Sequence, residues 1–369
     1  MPRIGGFAQG PHHRAPPSER GRGSAVNEEV RRFLAEIEGD MGGLPRDLHI
    51  TRMFSSLVAI SNGRVIKVAD PKLEYCPLAS SLYDFPRGLD AESLRNEIIK
   101  AAERKISELG LFTGLRPLHR STIAIPFGAS EMMMYDLKSG RAEAAVVVCD
   151  GAGTVIAEDP HLVQGIGARM NGVFYTSPIE AVIRGIEEGG GEVLSPETAR
   201  IDQVAGIERA LGRHGRIDVT VSGFCGEGLR EIRELESERG ASVTILAVCT
   251  TGASEERVRE IGEFADLVWS CASGKVREVL GRRARLQIAT KIPVYALTDR
   301  GLDFAASYSS KGFREYISEF EGPYIISGRC GAIPGARDCR RIKMGDFETY
   351  IARVESLPIR SGDEPRPLL

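Results

Sequence analysis

Four short, Gly-rich polar segments each follow a run of apolar residues: Cys149-Asp150-Gly151-Ala152-Gly153-Thr154, Gly223-Phe224-Cys225-Gly226, Cys249-Thr250-Thr251-Gly252 and Ser270-Cys271-Ala272-Ser273-Gly274-Lys275. In an open α/β sheet a ligand binds beyond the carboxyl ends of the strands, where such loops gather. Gly151, Gly153, Thr154, Thr250, Thr251, Ser273 and Lys275 are therefore expected to line a ligand site. Turn chemistry accounts for the same residue types, since Gly frees the backbone and Ser or Thr caps the next helix. One stretch is longer than a turn requires: Asp159 to Gly172, DPHLVQGIGARMNG, which leads through Val173-Phe174-Tyr175 to Thr176-Ser177-Pro178. It reads as a Gly-lined loop presenting Gln164, Gly165, Gly167 and Arg169, followed by a helix with Thr176 and Ser177 at its entry and Pro178 in its first position. Free backbone N–H groups, a helix N-terminus and an Arg fork together suit a carboxylate or phosphate.

If that ligand is a substrate, Asp150 and Asp202 are the candidate general bases, a role that needs a carboxyl with a raised pKa. Cys149, Cys249 and Cys271 each stand at or just after the last apolar residue of an expected strand, with Cys225 a few residues past another. Adjacent strands lie about 4.8 Å apart, so these thiols are candidates for a cluster or a redox pair. Cysteine also suits a strand end simply as a small hydrophobe. Sharper motifs are absent. Gly151-Ala152-Gly153 lacks the third Gly of a dinucleotide fingerprint, position 156 being Ile, and Gly274-Lys275 has Trp269 and Val276 where a P-loop needs Gly and Ser or Thr. H-E-x-x-H, C-x-x-C and G-x-S-x-G do not occur. The spacing assigns no cofactor and no metal.

These segments need a scaffold, and the chain predicts an α/β fold: a mostly parallel sheet with helices on both faces, plus a small N-terminal β-hairpin and helical subdomain. Residues 1–47 read as a disordered extension, carrying His12 and His13, with a short helix capped by Asn27 and a Gly-rich linker. Residues 48–140 hold a hairpin about Asn62-Gly63, a helix capped by Asp90 with Leu94, Ile98, Ala102, Ile106 and Leu109 on one face, and a helix from Ser130 whose Met132, Met133 and Met134 fill core. Residues 141–308 alternate apolar strands, near 144–149, 217–222, 243–248, 267–270 and 292–297, with amphipathic helices, the pattern of a parallel sheet. Residues 309–369 supply a helix, a strand, a turn holding Cys330 and Cys339, and a polar tail.

Composition narrows the class. The chain has 369 residues with 48 Lys and Arg against 51 Asp and Glu, and the net charge of −3 gives no electrostatic reason to bind nucleic acid or an anionic membrane. No apolar run approaches the roughly 20 residues that cross a bilayer, and the N-terminus lacks a secretory h-region. Seven thinly spread Cys do not resemble a secreted disulfide framework, so reduced thiols and a cytoplasmic protein are expected.

The stretches Glu74-Tyr75-Cys76-Pro77-Leu78, VVVCDGAGTVI, DPHLVQGIGARMNG with TSPI after it, ARIDQV, AVCTTGASEE and ADLVWSCAS resemble the methanogenesis marker protein 8 family, from about residue 48 to residue 300. The resemblance implies a cytoplasmic archaeal protein that occurs together with the enzymes of methanogenesis, in a family of unknown function with no catalytic residues to carry over. Together these readings predict an accessory protein of methanogenesis or related anaerobic C1 metabolism that binds an anionic small molecule or coenzyme at the strand-end rim. Other methanogenesis proteins are its expected partners. The alternatives are an enzyme acting on a carboxylated or phosphorylated coenzyme precursor, and an assembly partner with no small-molecule site.

Overall fold

In a computed structural model, residues 27–226 and 228–369 are described. The expected N-terminal extension with His12 and His13 lies outside them. Helix α1 (Glu28–Met41) begins where the Asn27 side chain accepts the Glu29 N–H, buries Val30, Phe33 and Ile37 at helical spacing, and stops at Gly42 in the left-handed region. Strands β1 (His49–Met53), β2 (Ser56–Ser61) and β3 (Arg64–Val68) follow, with Asn62 and Gly63 both at positive φ in the expected hairpin turn. Next come α2 (Pro77–Tyr83), α3 (Ala91–Leu109) and α4 (Ala129–Lys138), and β4 (Ala144–Cys149) opens the larger sheet.

That sheet continues through β5 (Gly153–Ala157), leaves for α5 (Pro160–Gly167), β6 (Val173–Thr176) and α6 (Glu180–Glu188), and returns at β7 (Glu192–Val193). Then α7 (Gln203–Ala210), β8 (Arg216–Ser222), α8 (Leu229–Arg239), β9 (Ser242–Val248), α9 (Glu255–Phe264) and β10 (Leu267–Trp269) alternate as the sequence predicts. The chain ends with β11 (Leu286–Ile288), β12 (Val294–Ala296), α10 (Asp299–Ser307), β13 (Ser309–Lys311), α11 (Phe313–Glu319), β14 (Tyr324–Ser327), β15 (Arg337–Met344) and β16 (Phe347–Arg353).

Two sheets result, one in the order β3-β2-β1-β6 and one in the order β13-β15-β16-β14-β11-β12-β10-β9-β8-β4-β5-β7. The fold is α/β, and the large sheet is mixed. Strands β4, β8, β9 and β10 run parallel as expected, and β11 is parallel to β14. The strand expected near 292–297, β12, is instead antiparallel to β10 and β11. Connection length explains the correction: the turns from β4 to β5 and from β11 to β12 are far too short for a crossover, so each chain must double back. The polar residues after the Cys-rich turn also form a hairpin, β15 with β16, rather than a tail. Cys330 and Cys339 are joined in a disulfide, which corrects the expectation of seven reduced thiols, while Cys76, Cys149, Cys225, Cys249 and Cys271 are free.

Helices cover both faces of the large sheet. Ala145, Val147 and Cys149 of β4 pack with α4, α5, α6 and α10, and Ala144 and Val146 pack with α7, α8 and α9. The small sheet lies between α1, against Leu57 and Ala59, and α3, against Val58 and Ile60. Among the described residues no helix is long and apolar enough to cross a membrane.

Beneath α4 the sheet buries a carboxyl pair. Asp136 of α4 and Asp218 of β8 lie together in the interior, each acting on the other's ionisation, and Arg141 Nε donates to Asp136 at 2.7 Å. Burial raises the pKa of both, and the Asp136 charge raises Asp218 further. A folded-state pKa above the unfolded one means stability that is present in acid and is lost as pH rises from about 4 through the folded value. Asp218→Asn keeps a donor for Asp136 but cannot ionise. We expect this variant to flatten the decline in melting temperature between about pH 5 and pH 8 and to gain about 1 kcal/mol or more on wild type at the upper end, followed by thermal unfolding against pH.

Candidate functional site

Parallel order puts the carboxyl ends of β4, β8, β9 and β10 on one edge, and the small sheet lies across that edge. Arg52 Nη1 of β1 donates to Thr251 O at 2.7 Å and Asn27 Nδ2, at the start of α1, to Phe224 O at 2.9 Å, while Thr51 Oγ1 donates to Gly172 O at 2.9 Å beside the β1–β6 pairing. The joint is held from inside by an ion pair with both side chains buried, Arg116 with Asp150. Arg116 also donates to the carbonyls of Gly165 and Ile166 at the end of α5, and Asp150 accepts the Phe112 N–H at 2.5 Å. Two of the carbonyls that a helix end leaves without partners are thereby satisfied, and the turn after α5 is set in place.

Most of the residues expected to bind ligand make such internal bonds. Gly151 N donates to Thr176 Oγ1 at 2.7 Å, a hydroxyl that also meets His49 Nδ1, and Ser177 Oγ pairs with the backbone of Leu48. Thr154 Oγ1 donates to Gln203 and accepts the Asp202 N–H. Gln164, on α5, donates to Thr122 O and Glu131. A Cβ on Gly153, Gly165 or Gly167 would fall 2.2, 1.9 or 2.3 Å from Ala199 O, Leu118 O or Ser130 Cβ, so these glycines allow close packing. The expected loop from Gln164 is thus helical as far as Gly167, and Ile179, not Ser177, stands before α6. Thr250 and Thr251 bond to Trp269 O and Ala272 N, Ser273 to Val276 N, and exposed Lys275 pairs with Glu255. Asp202 caps α7 by accepting the Ala205 N–H.

Arg169 stands apart. It takes a left-handed conformation (φ 56°) in the turn after α5, and its carbonyl accepts from Lys105 Nζ at 2.7 Å. Lys105 is buried, also donates to Asn171 Oδ1, and lines a small pocket with Arg52, Met53, Phe112 and Met170. Burial, with the nearby Arg169 charge adding to it and Cys249 opposing it, brings the Lys105 amine down to about 7. Arg52 is buried too, its guanidinium carbon 3.8 Å from the centre of the Phe224 ring, with Nε and Nη2 lacking any hydrogen-bond partner. Glu29, whose charge reaches Arg52, is bound to Lys72 at 2.5 Å. Among the described residues, Arg52, Lys105 and Arg169 form no ion pair with a carboxylate.

The thiols divide between two places. Cys249 and Cys271, at the ends of neighbouring β9 and β10, both have positive φ, and their thiols, with that of Cys225, lie near Arg52. Burial, then the Cys271 charge, pushes Cys249 up to about 12 against the pull of Arg52. Cys149 lies beside Asp150 and Arg116 instead, because β8 separates β4 from β9. Among the described residues no group of three or more His, Cys, Asp or Glu is arranged to hold a metal ion.

Arg52, Lys105 and Asn171 were not among the expected site residues. Lys105 had a legible signal, since it falls on the same helical stripe as Leu94, Ile98 and Ala102, where an unpaired cation is anomalous. Arg52 had none, because its partners are loops about two hundred residues away in sequence.

Fold and site define an α/β protein whose parallel strand ends are closed by an antiparallel sheet that brings buried cations to the junction. The chain belongs to the family described as "Uncharacterized protein conserved in archaea (DUF2099)", which matches residues 49–308. It is 34% identical over 313 residues to "Uncharacterized protein MJ0054" of Methanocaldococcus jannaschii, an alignment covering 85% of this chain and 95% of that protein. Breaking a buried pair strands its partner's charge, so Asp150→Ala is expected to cost about 3–5 kcal/mol in urea unfolding. Removing both charges in Asp150→Asn/Arg116→Met should cost less than the sum of the single changes.

Proposed function

We propose that the protein is a cytoplasmic accessory protein of methanogenesis or related anaerobic C1 metabolism, of the methanogenesis marker protein 8 type, that binds an anionic small molecule. The class we favour is a carboxylated or phosphorylated coenzyme or precursor, seated where the small sheet meets the strand ends. One observation carries this reading: buried Arg52 and Lys105 line one recess, the Arg169 charge reaches Lys105, and none of the three pairs with a carboxylate among the described residues. Uncompensated buried charge is costly, and a bound anion offsets that cost while satisfying the idle donors of Arg52. The family and the relative in Methanocaldococcus jannaschii support the archaeal part of this reading. Candidate bases give the enzyme alternative less support, since Asp150 and Asp202 are both engaged in structural bonds.

Protein purified without oxygen and analysed by mass spectrometry should release a carboxylated or phosphorylated compound. With succinate and inorganic phosphate as probes, Arg169→Ala should weaken calorimetric binding by one to two decades, about 1.5–3 kcal/mol, with little change in melting temperature. Arg169→Lys should restore only part of the loss, and unchanged affinity in Arg169→Ala would overturn the reading.

A further inference from the structure

We propose that Cys249 and Cys271 form a reversible disulfide, a redox-sensitive clasp across the ends of β9 and β10 at the strand-end rim. The backbone supplies the geometry. Strands β9 and β10 are parallel neighbours, with Leu246 opposite Leu267 and Ala247 opposite Val268, so the two cysteines stand on adjacent chains just past the ladder. Two hydrogen bonds continue the contact where the ladder stops: Thr250 Oγ1 donates to Trp269 O at 2.7 Å, and Ala272 N donates to Thr251 Oγ1 at 3.0 Å. They hold 249–251 against 269–272, with both cysteines inside the clamped stretch. The Cys271 sulfur itself faces the backbone N–H groups of Thr250 and Cys249. Neighbouring strands lie about 4.8 Å apart, and a disulfide joins Cα atoms roughly 4.4–6.8 Å apart, so the bond fits the spacing of adjacent strand ends.

The other free thiols are placed less well for pairing. Cys149 is buried on β4, beyond β8, whereas Cys249 and Cys271 are both partly exposed and so open to a small oxidant. Cys225 is turned back onto the end of β8, its N–H and its sulfur both meeting Ser222 Oγ, at 3.2 and 3.6 Å. Cys76 faces the N–H groups of Leu78 and Ala79 in the first turn of α2. The cations near the pair are Arg52 from β1, beside both thiols, and Arg277 from the turn after β10, beside Cys271. Burial outweighs their pull and keeps both thiols protonated at neutral pH, with Cys249 pushed up to about 12, so no stabilised thiolate favours the reduced form.

The oxidant is a low-molecular-weight disulfide, and atoms and electrons balance. One cysteine, as its thiolate, attacks a sulfur of the oxidant, forming a mixed disulfide and releasing one small thiol; the second thiolate attacks the protein sulfur, closes the Cys249–Cys271 bond and releases the other. Two electrons and the two protein protons leave with the two small thiols. Wild-type protein should be equilibrated with hydroxyethyl disulfide and 2-mercaptoethanol at pH 8.5, quenched in acid, digested and mapped peptide by peptide by mass spectrometry. A linked Cys249–Cys271 peptide is expected at tenfold or greater excess over mixed disulfides of either residue, with Cys149 unmodified, and 2-mercaptoethanol alone should abolish it. Cys225→Ala and Cys76→Ala should keep the linked peptide, and Cys249→Ser should lose it. Closing a loop of about 20 residues should make the rise in melting temperature from reduced to oxidised protein about 5 °C larger in wild type than in Cys249→Ser. Mixed disulfides without the linked peptide, no modification of either cysteine, or linkage to Cys225 or Cys76 instead overturns the proposal, as does linkage seen only when Cys149 also reacts, the mark of an unfolded chain. An equal rise in both proteins overturns the clasp even where the linked peptide is found.

Discussion

The buried ion pair between Arg116 and Asp150 is the joint on which the remainder of this structure depends. One guanidinium ties the end of β4, through Asp150, to the last carbonyls of α5, while the same carboxylate receives the backbone of Phe112. Three segments distant in sequence are thereby fixed with respect to each other. The turn that follows α5 then has one place to go, against α3, where its carbonyl and Asn171 take up the amine of Lys105. A buried pair of this kind adds little net stability over an apolar replacement, but it is strict about geometry, because a shift of either partner leaves a bare charge in a low dielectric.

That strictness matters because the neighbouring cations are not neutralised. Arg116 has its carboxylate, whereas among the described residues Arg52 meets the Thr251 carbonyl and the rings of Phe224 and Phe174, and Lys105 meets neutral oxygens and the Tyr83 ring. The contrast within one small region separates charge paired inside the structure from charge without a carboxylate partner. The thiols of Cys225, Cys249 and Cys271 sit beside Arg52 with pKa values raised by burial, so at neutral pH they are uncharged and do not cancel it. Positive φ at both Cys249 and Cys271 shows a backbone held tightly at the two strand ends that carry this cation's surroundings.

Much of the architecture was legible in the sequence. Period-2 and period-3.6 patterns located the Asn62-Gly63 hairpin, α3 with its Asp90 cap, and four parallel strands, since each depends on contacts close in the chain. The apolar run of β12 was located as well, but not its direction, because an apolar strand reads the same either way and only the length of the connection before it reveals the reversal. Strand β5 begins at Gly153 and Thr154, residues taken for a loop, and Gly165 and Gly167 of DPHLVQGIGARMNG, also read as loop residues, are in a helix that needs them to approach Leu118 and Ser130.

The sequence alone determined the α/β class, the positions of the main elements and the gathering of Gly-rich turns at one strand edge, because hydrophobic periodicity and capping are local properties. It also offered Arg169 as a candidate for an anion site, from its place just after Gly165 and Gly167. Only the tertiary structure decided which cations lack partners, since Arg116 and Arg52 are alike as letters and differ solely in whether a carboxylate from elsewhere reaches them. Strand order likewise sent Cys149 to the ion pair and Cys249 with Cys271 to Arg52, a division made by β8 lying between them. Pairing of charges is a long-range outcome of how strands are ordered, and no spacing along the chain encodes it.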